Sequence, residues 1–155
     1  MIREAVATDS ETLESLYKLL VPTSRNIHVL PERMEQIIAD SNNFLFVYEE
    51  NGQILGTVFL TLCMCPAYEF RPYGIVEYVF VREEARGSGI GKSLLDHVEQ
   101  ICVSKHCTYI GLMSNAQREN AHRFFESRGY NGTMSKGFKK YIKVRPVDWN
   151  LEISE

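Results

Sequence analysis

Arg86-Gly-Ser-Gly-Ile-Gly-Lys92 follows a valine-rich run, Ile75 to Val81, and opens onto a stripe of Ile90, Leu94, Val98 and Ile101 at helical spacing. A strand, a glycine loop and a helix in that order present a helix N-terminus beside a sheet. The first N–H groups of a helix have no partner within it, and the helix dipole places positive potential there. Glycines let anionic oxygens approach those N–H groups with no Cβ in the way. Arg86 and Lys92 add positive charge at either end. The arrangement predicts a phosphate or pyrophosphate cradle.

Counting separates the loops of this kind. A nucleoside-triphosphate loop, GxxxxGK[ST], ending at Gly91-Lys92-Ser93 needs glycine at position 86, which is arginine. A dinucleotide fingerprint, GxGxxG, needs glycine at 92 or 94, which are Lys92 and Leu94. A ligand-free turn is the bland alternative, but three alternating glycines beside two cations cost loop entropy for no return.

The rest of the chain bounds what surrounds the loop. Its 155 residues, 45% hydrophobic and 24% charged, suit one compact domain rather than a disordered chain. A formal charge of −3 gives no basic footprint for nucleic acid. The longest uncharged stretch, Ile54 to Tyr68, is short of the roughly 20 apolar residues of a membrane helix. The start, MIREAVATDS, lacks a signal-peptide core, so a cytoplasmic protein is the expectation. Cys63, Cys65, Cys102 and Cys107 are spaced CxC and CxxxxC, and the four histidines have no ligand spacing, so no metal is expected.

Periodicity predicts a strand over 2–6 and a helix capped by Thr8 or Asp9 that closes before Pro22. A second helix runs from Pro31 to about residues 41–43. Phe44–Tyr48 and Ile54–Leu62 form a hairpin across Asn51-Gly52. Ile75–Val81, the loop helix, a strand over Thr108–Met113, a helix over Arg118–Ser127 closed by Gly129, and a strand over Phe138–Val144 complete the chain. The order implies an α/β or α+β domain with a mixed sheet. One domain over 1–145 is expected, followed by a tail, 146–155.

The pattern R-G-x-G-I-G after a strand ending Val-x-Val, with A-x-x-F-F-x-x-x-G-Y at Ala121–Tyr130, resembles the GNAT superfamily of N-acetyltransferases. The resemblance covers nearly the whole chain. It implies a mostly antiparallel central sheet with flanking helices, whose third-run and Thr108–Met113 strands splay apart around an acyl-CoA arm. It implies acetyl-CoA as acetyl donor, with the pyrophosphate held at Arg86, Gly87, Ser88, Gly89, Ile90, Gly91 and Lys92. The main chain of Val79, Phe80 and Val81 would pair with the pantetheine arm, and Asn115, Asn120 and Phe125 would flank it. A homodimer is a further expectation.

Acetyl transfer to an amine requires loss of a proton from nitrogen and departure of a thiolate. An alkylammonium, with a pKa near 10.4, must first be deprotonated, and a desolvated carboxylate can serve. Glu77 is the candidate. Strict alternation puts Ile75, Glu77, Val79 and Val81 on one face of the strand and Val76, Tyr78 and Phe80 on the other. The alternative is a solvated Glu77 or one paired with a lysine. A main-chain N–H at Val79 or Phe80 could meet the oxyanion.

Two departures stand out. Where relatives often carry a tyrosine to protonate the thiolate, this chain has Phe125, so Tyr130, Tyr78 or water is left to act. Where many carry an asparagine, Arg118 stands. Phe124 reads as core, whereas Phe125 reads equally as core or cleft. The 121–130 segment looks most like small-molecule enzymes such as aminoalkylphosphonate acetyltransferases, so the expected partner is a small-molecule amine, with a peptide amine as the alternative. An acidic group on it could meet Arg25, His28 or Arg71. A catalytically weak acyl-CoA sensor is the second reading, motivated by Phe125.

Overall fold

The computed structural model describes residues 1–142. The chain divides into two compact units, 1–115 and 116–155, each described by itself. The 146–155 tail, with Trp149, lies outside the described residues.

The first unit is a five-stranded sheet in sequential order: β1 (Ile2–Glu4), β2 (Asn43–Glu50), β3 (Gln53–Cys63), β4 (Tyr73–Val81) and β5 (Ile110–Leu112). Every pair is antiparallel except β4–β5. The predicted hairpin is present, with Asn51 and Gly52 both at positive φ as a two-residue turn demands. The parallel pair needs a crossover, which α3 (Ile90–Ser104) supplies. Helices α1 (Ser10–Leu20) and α2 (Pro31–Ala39) come between β1 and β2. The fold is α+β with a mixed sheet, as expected.

Leu13 and Leu16 of α1 and Met34 of α2 form one core with Leu45, Val47, Ile54 and Phe80 of the sheet. The other face packs on α3. A Cβ on Gly56 would meet Ile90 and Leu94, and one on Gly74 would lie 2.8 Å from the Cys102 sulfur. Phe46 sets its ring edge-on to His97 at 4.5 Å, between β2 and α3.

Asp9 is the N-cap residue of α1, but its carboxylate makes no cap bond to that helix. It accepts from the Arg3 guanidinium at 2.8 and 3.1 Å and from the Val6 N–H at 2.9 Å. Arg3 also donates to Glu49 at 2.5 Å, tying α1's start to β2. Burial alone would push the Asp9 carboxyl up, yet the Arg3 and Val6 bonds outweigh it and hold it below the ordinary carboxylate range. The folded value lies below the unfolded one. The stabilisation is therefore full above the unfolded pKa, about 4, and is lost as pH falls through the folded value. Urea midpoints across that acid range should fall for the natural chain. Asp9→Asn should start about 1–2 kcal/mol lower at neutral pH, since the site is only partly screened from water, and change less with acid. Parallel curves would refute this role.

The second unit, over its described part, consists of α4 (Glu119–Ser127) and an irregular continuation. Gly129, at φ +89°, closes the helix as predicted, with its N–H on Glu126 and that of Tyr130 on Phe125. The strand expected over Phe138–Val144 is absent from 138–142, and Lys143 and Val144 lie outside the described residues.

Candidate active site

The glycine loop ends in a helix start that no side chain among the described residues caps. Gly89 is the N-cap of α3 at φ +86°, in the left-handed region. The Ser93 N–H makes the first turn's bond, to the Gly89 carbonyl at 2.9 Å. The N–H groups of Ile90, Gly91 and Lys92 therefore precede the first intrahelical bond and have no carbonyl behind them. No acidic residue sits in the first turn. Gly87, at φ +78°, also needs a residue without Cβ, and a Cβ at Gly87 or Gly89 would face open space. A diphosphate fits that donor set and that space.

The flanking side chains are partly engaged. Arg86 donates through Nε to the Val81 carbonyl at 3.1 Å, and its guanidinium lies 5.6 Å from the centre of the Phe80 ring. The Lys92 ammonium pairs with Asp96 at 2.6 Å along the helix, so an anion would share it. Ser88 donates to the Ala85 carbonyl at 2.5 Å. Ile90 turns its side chain into the core against Gly56, so only its main chain is available to a ligand.

Strand β4 carries the second feature. Its register with β3 runs Phe59–Glu77 and then Thr57–Phe80, so Tyr78 and Val79 together face Val58. This is a bulge, and Tyr78 occupies it at φ 52°. A bulky residue there costs on the order of 1–3 kcal/mol, strain that concentrates at functional sites. The bulge overturns the strict alternation expected for β4. Phe80 joins the Glu77 face and the α1 core, while Val81 lies opposite Gly56 on the α3 face. On its other edge β4 pairs with β5 only from Gly74 to Val76. From Glu77 to Val81 that edge has no strand partner among the described residues, so the two strands form a fork.

Glu77 sits at the mouth of this fork and is exposed. It is not enclosed among valines, because the bulge ends the alternation that would have buried it. Tyr78, 45% exposed, holds its ring 4.7 Å from that of Tyr17 on α1. Burial pushes the Tyr17 phenol up to about 12, partly opposed by its bond with Thr57. Thr57 is itself fully buried and donates to the Phe46 carbonyl at 3.0 Å.

The three cations considered for an acidic acceptor group do not assemble. Arg71 donates to the His106 carbonyl at 2.9 Å and to the Cys107 carbonyl at 3.5 Å, just past the C-terminal end of α3. That helix has 15 residues, so Arg71 lies on the order of 22 Å from the glycine loop. Both carbonyls are past Lys105, the C-cap of α3, so Arg71 holds the turn that follows the helix. His28 lies 4.0 Å from Glu14, whose carboxylate the Lys18 ammonium and the Val29 N–H hold below its usual range. Arg25 is exposed in the loop between α1 and α2.

Asn115 closes the first unit, and Asn120 and Phe125 lie on α4 in the second. The Asn120 side-chain Oδ1 accepts from the Arg123 guanidinium on the helix surface. Phe125 is buried, its ring tilted against that of Phe124 at 5.5 Å and edge-on to that of Tyr130 at 6.2 Å, whereas Phe124 is only half-buried. Packing thus reverses the expected order of the two phenylalanines. Tyr78 is a candidate from the sequence, but its place in a bulge and its contact with Tyr17 escape sequence reasoning, because nothing in IVEYVFV marks a positive φ. Among the described residues no three His, Cys, Asp or Glu side chains converge on a point, and no helix is long and apolar enough to cross a membrane.

The comparisons agree with this geometry. The model of the acetyltransferase (GNAT) family matches residues 12–130. No curated protein sequence matches the chain significantly. Among solved structures, one described as an acetyltransferase from Agrobacterium tumefaciens str. C58 is 25% identical, covering 92% of this chain and 99% of its own, with a TM-score of 0.83. A transcriptional regulator from Bacillus halodurans C-125 is 28% identical over 92% and 99%, with a TM-score of 0.81. Glucosamine-6-phosphate N-acetyltransferase from Arabidopsis thaliana, 23% identical over 91% and 97% with a TM-score of 0.76, shares the fold. With an uncapped glycine loop, a forked sheet and a family match over most of its length, the chain belongs to the GNAT family of acetyl-CoA-dependent N-acetyltransferases.

Proposed function

We propose that the chain acetylates a small-molecule primary amine, with Glu77 as the base that takes the proton from nitrogen. The observation that carries this reading is the placement of an exposed carboxylate at the mouth of the β4–β5 fork, one residue before the bulge. Acetyl-CoA, when bound, supplies an activated acetyl thioester. Ile90, Gly91 and Lys92 offer main-chain N–H groups to its diphosphate, with Gly87 and Gly89 keeping the approach clear. The free edge of β4 from Val79 to Val81 offers backbone donors and acceptors to its arm. A main-chain N–H at Val79 or Phe80 supports the negative charge that develops on the carbonyl oxygen.

The narrower resemblance to aminoalkylphosphonate acetyltransferases rests on the 121–130 motif alone, because Arg71 is held on the turn after α3 and His28 sits beside Glu14. A small amine without a strongly acidic group suits the exposed surroundings of Glu77 better. The cytoplasm as compartment and a homodimer as assembly are parts of the same reading.

The test has two readouts. Acetyl-CoA at about 100 times its Kd should stabilise the protein by about 2.7 kcal/mol. Thiol release should then be followed with amino sugars, alkylamines, aminoalkyl acids and a peptide amine. Stabilisation with release on a small amine supports the proposal. Stabilisation without release on any amine favours the acyl-CoA sensor, and no stabilisation removes both.

A further inference from the structure

Ser114 Oγ is buried and has no hydrogen-bond partner among the described residues. A buried hydroxyl left unsatisfied is costly, and such groups persist where a ligand supplies the partner. Ser114 lies two residues past Leu112, the last residue of β5 paired to β4, through Val76. Parallel strands advance together, so continuing that register brings Ser114 level with Tyr78, the bulge residue. The orphan hydroxyl on one arm of the fork therefore stands one residue beyond the level of Glu77 on the other.

We infer that Ser114 donates a hydrogen bond to the sulfur of coenzyme A and is a catalytic residue for its departure. The inference rests on the proposed acetyl transfer. The level in the fork selects the sulfur over the amides of the arm. Glu77 must reach the nitrogen that bonds to the thioester carbon, and the sulfur is on that same carbon. One residue along a strand is about 3.3 Å, within the span of a side chain. Ser114 keeps its own proton throughout. It meets the sulfur as the C–S electron pair settles there and the N–C bond forms. The ammonium nitrogen has three protons and keeps one as the amide N–H: Glu77 passes a second to water, and the third ends on the sulfur by way of water. Charge-assisted bonds to such an anion are the strong ones.

The decisive measurement is equilibrium binding of coenzyme A and of desulfo-coenzyme A, which lacks the sulfur, above the thiol pKa of about 8.5. The natural chain should bind coenzyme A about tenfold tighter than the desulfo compound, and Ser114→Ala should erase that preference without changing affinity for the desulfo compound. In turnover, Ser114→Ala should lose about tenfold in kcat with little change in KM for acetyl-CoA, and Ser114→Thr should restore it. Because the hydroxyl has no partner to lose, Ser114→Ala should keep the natural thermal midpoint. Equal weakening of both ligands would place the hydroxyl on the arm's amides and overturn the inference, as would an unchanged sulfur preference. If the natural chain binds neither ligand, the proposed function fails with it. Binding with a normal Ser114→Ala profile defeats the inference alone.

Discussion

Replacing Glu77 by glutamine is expected to lower kcat/KM for the amine by about 10²–10⁴-fold, the usual worth of a positioned general base. The reason is the state in which the acceptor arrives. An alkylammonium of pKa about 10.4 is neutral in only about one molecule in a thousand at pH 7.4, and nitrogen can attack only when neutral. A carboxylate at the mouth of the fork takes that proton directly or through water. Glutamine keeps the shape and the hydrogen-bonding reach but accepts no proton. The loss should appear in kcat rather than in KM, and the thermal stabilisation by acetyl-CoA should be unchanged, since Glu77 is not among the loop donors. The variant's rate should climb with pH towards the amine's own pKa, where solvent replaces the base. A drop of less than about tenfold, or one confined to KM, would reduce Glu77 to a residue that binds the acceptor.

How far the sequence foresees this site depends on whether a feature is local. The helix stripes, the Asn51-Gly52 hairpin and the Gly129 cap are each written in a short window, and each is present. The uncapped start of α3 follows from the loop residues alone. What escapes is set by pairing between distant segments. Tyr78 looks like an ordinary strand residue until Val58 is seen to face both it and Val79. That single extra residue turns Phe80 into the α1 core. The fork is foreseen only through the family resemblance and not from the residues, since it arises where β5 stops pairing at Leu112, not from any breaker residue in β4. Arg71 shows the same limit from the other side. A lone arginine in a loop carries no mark of its partner, and only the fold places it on the His106 carbonyl in the turn after α3.

Gly89→Val should abolish cofactor binding, and a matched substitution at Gly52 shows why this is not a folding effect. Both glycines have positive φ, +86° and +77°, and a Cβ at either would meet nothing within 4 Å. Each valine therefore pays the same kind of backbone penalty, about 1–2 kcal/mol or somewhat more for a β-branched residue. The substitution at Gly89 is thus not free of cost to the fold. The two variants should lose similar stability, measured as urea midpoints. They differ in what the open space is for. At Gly52 it is solvent beside a hairpin turn, whereas at Gly89 it lies before the N–H groups of Ile90, Gly91 and Lys92. A branched side chain there bars a diphosphate from donors worth roughly 1.5–3 kcal/mol each, so losing two predicts a fall in acetyl-CoA affinity of about 10²–10⁴-fold. Gly52→Val should bind acetyl-CoA as the natural chain does. If both variants weaken binding alike, strain rather than obstruction is responsible, and the loop loses its assignment as the phosphate cradle.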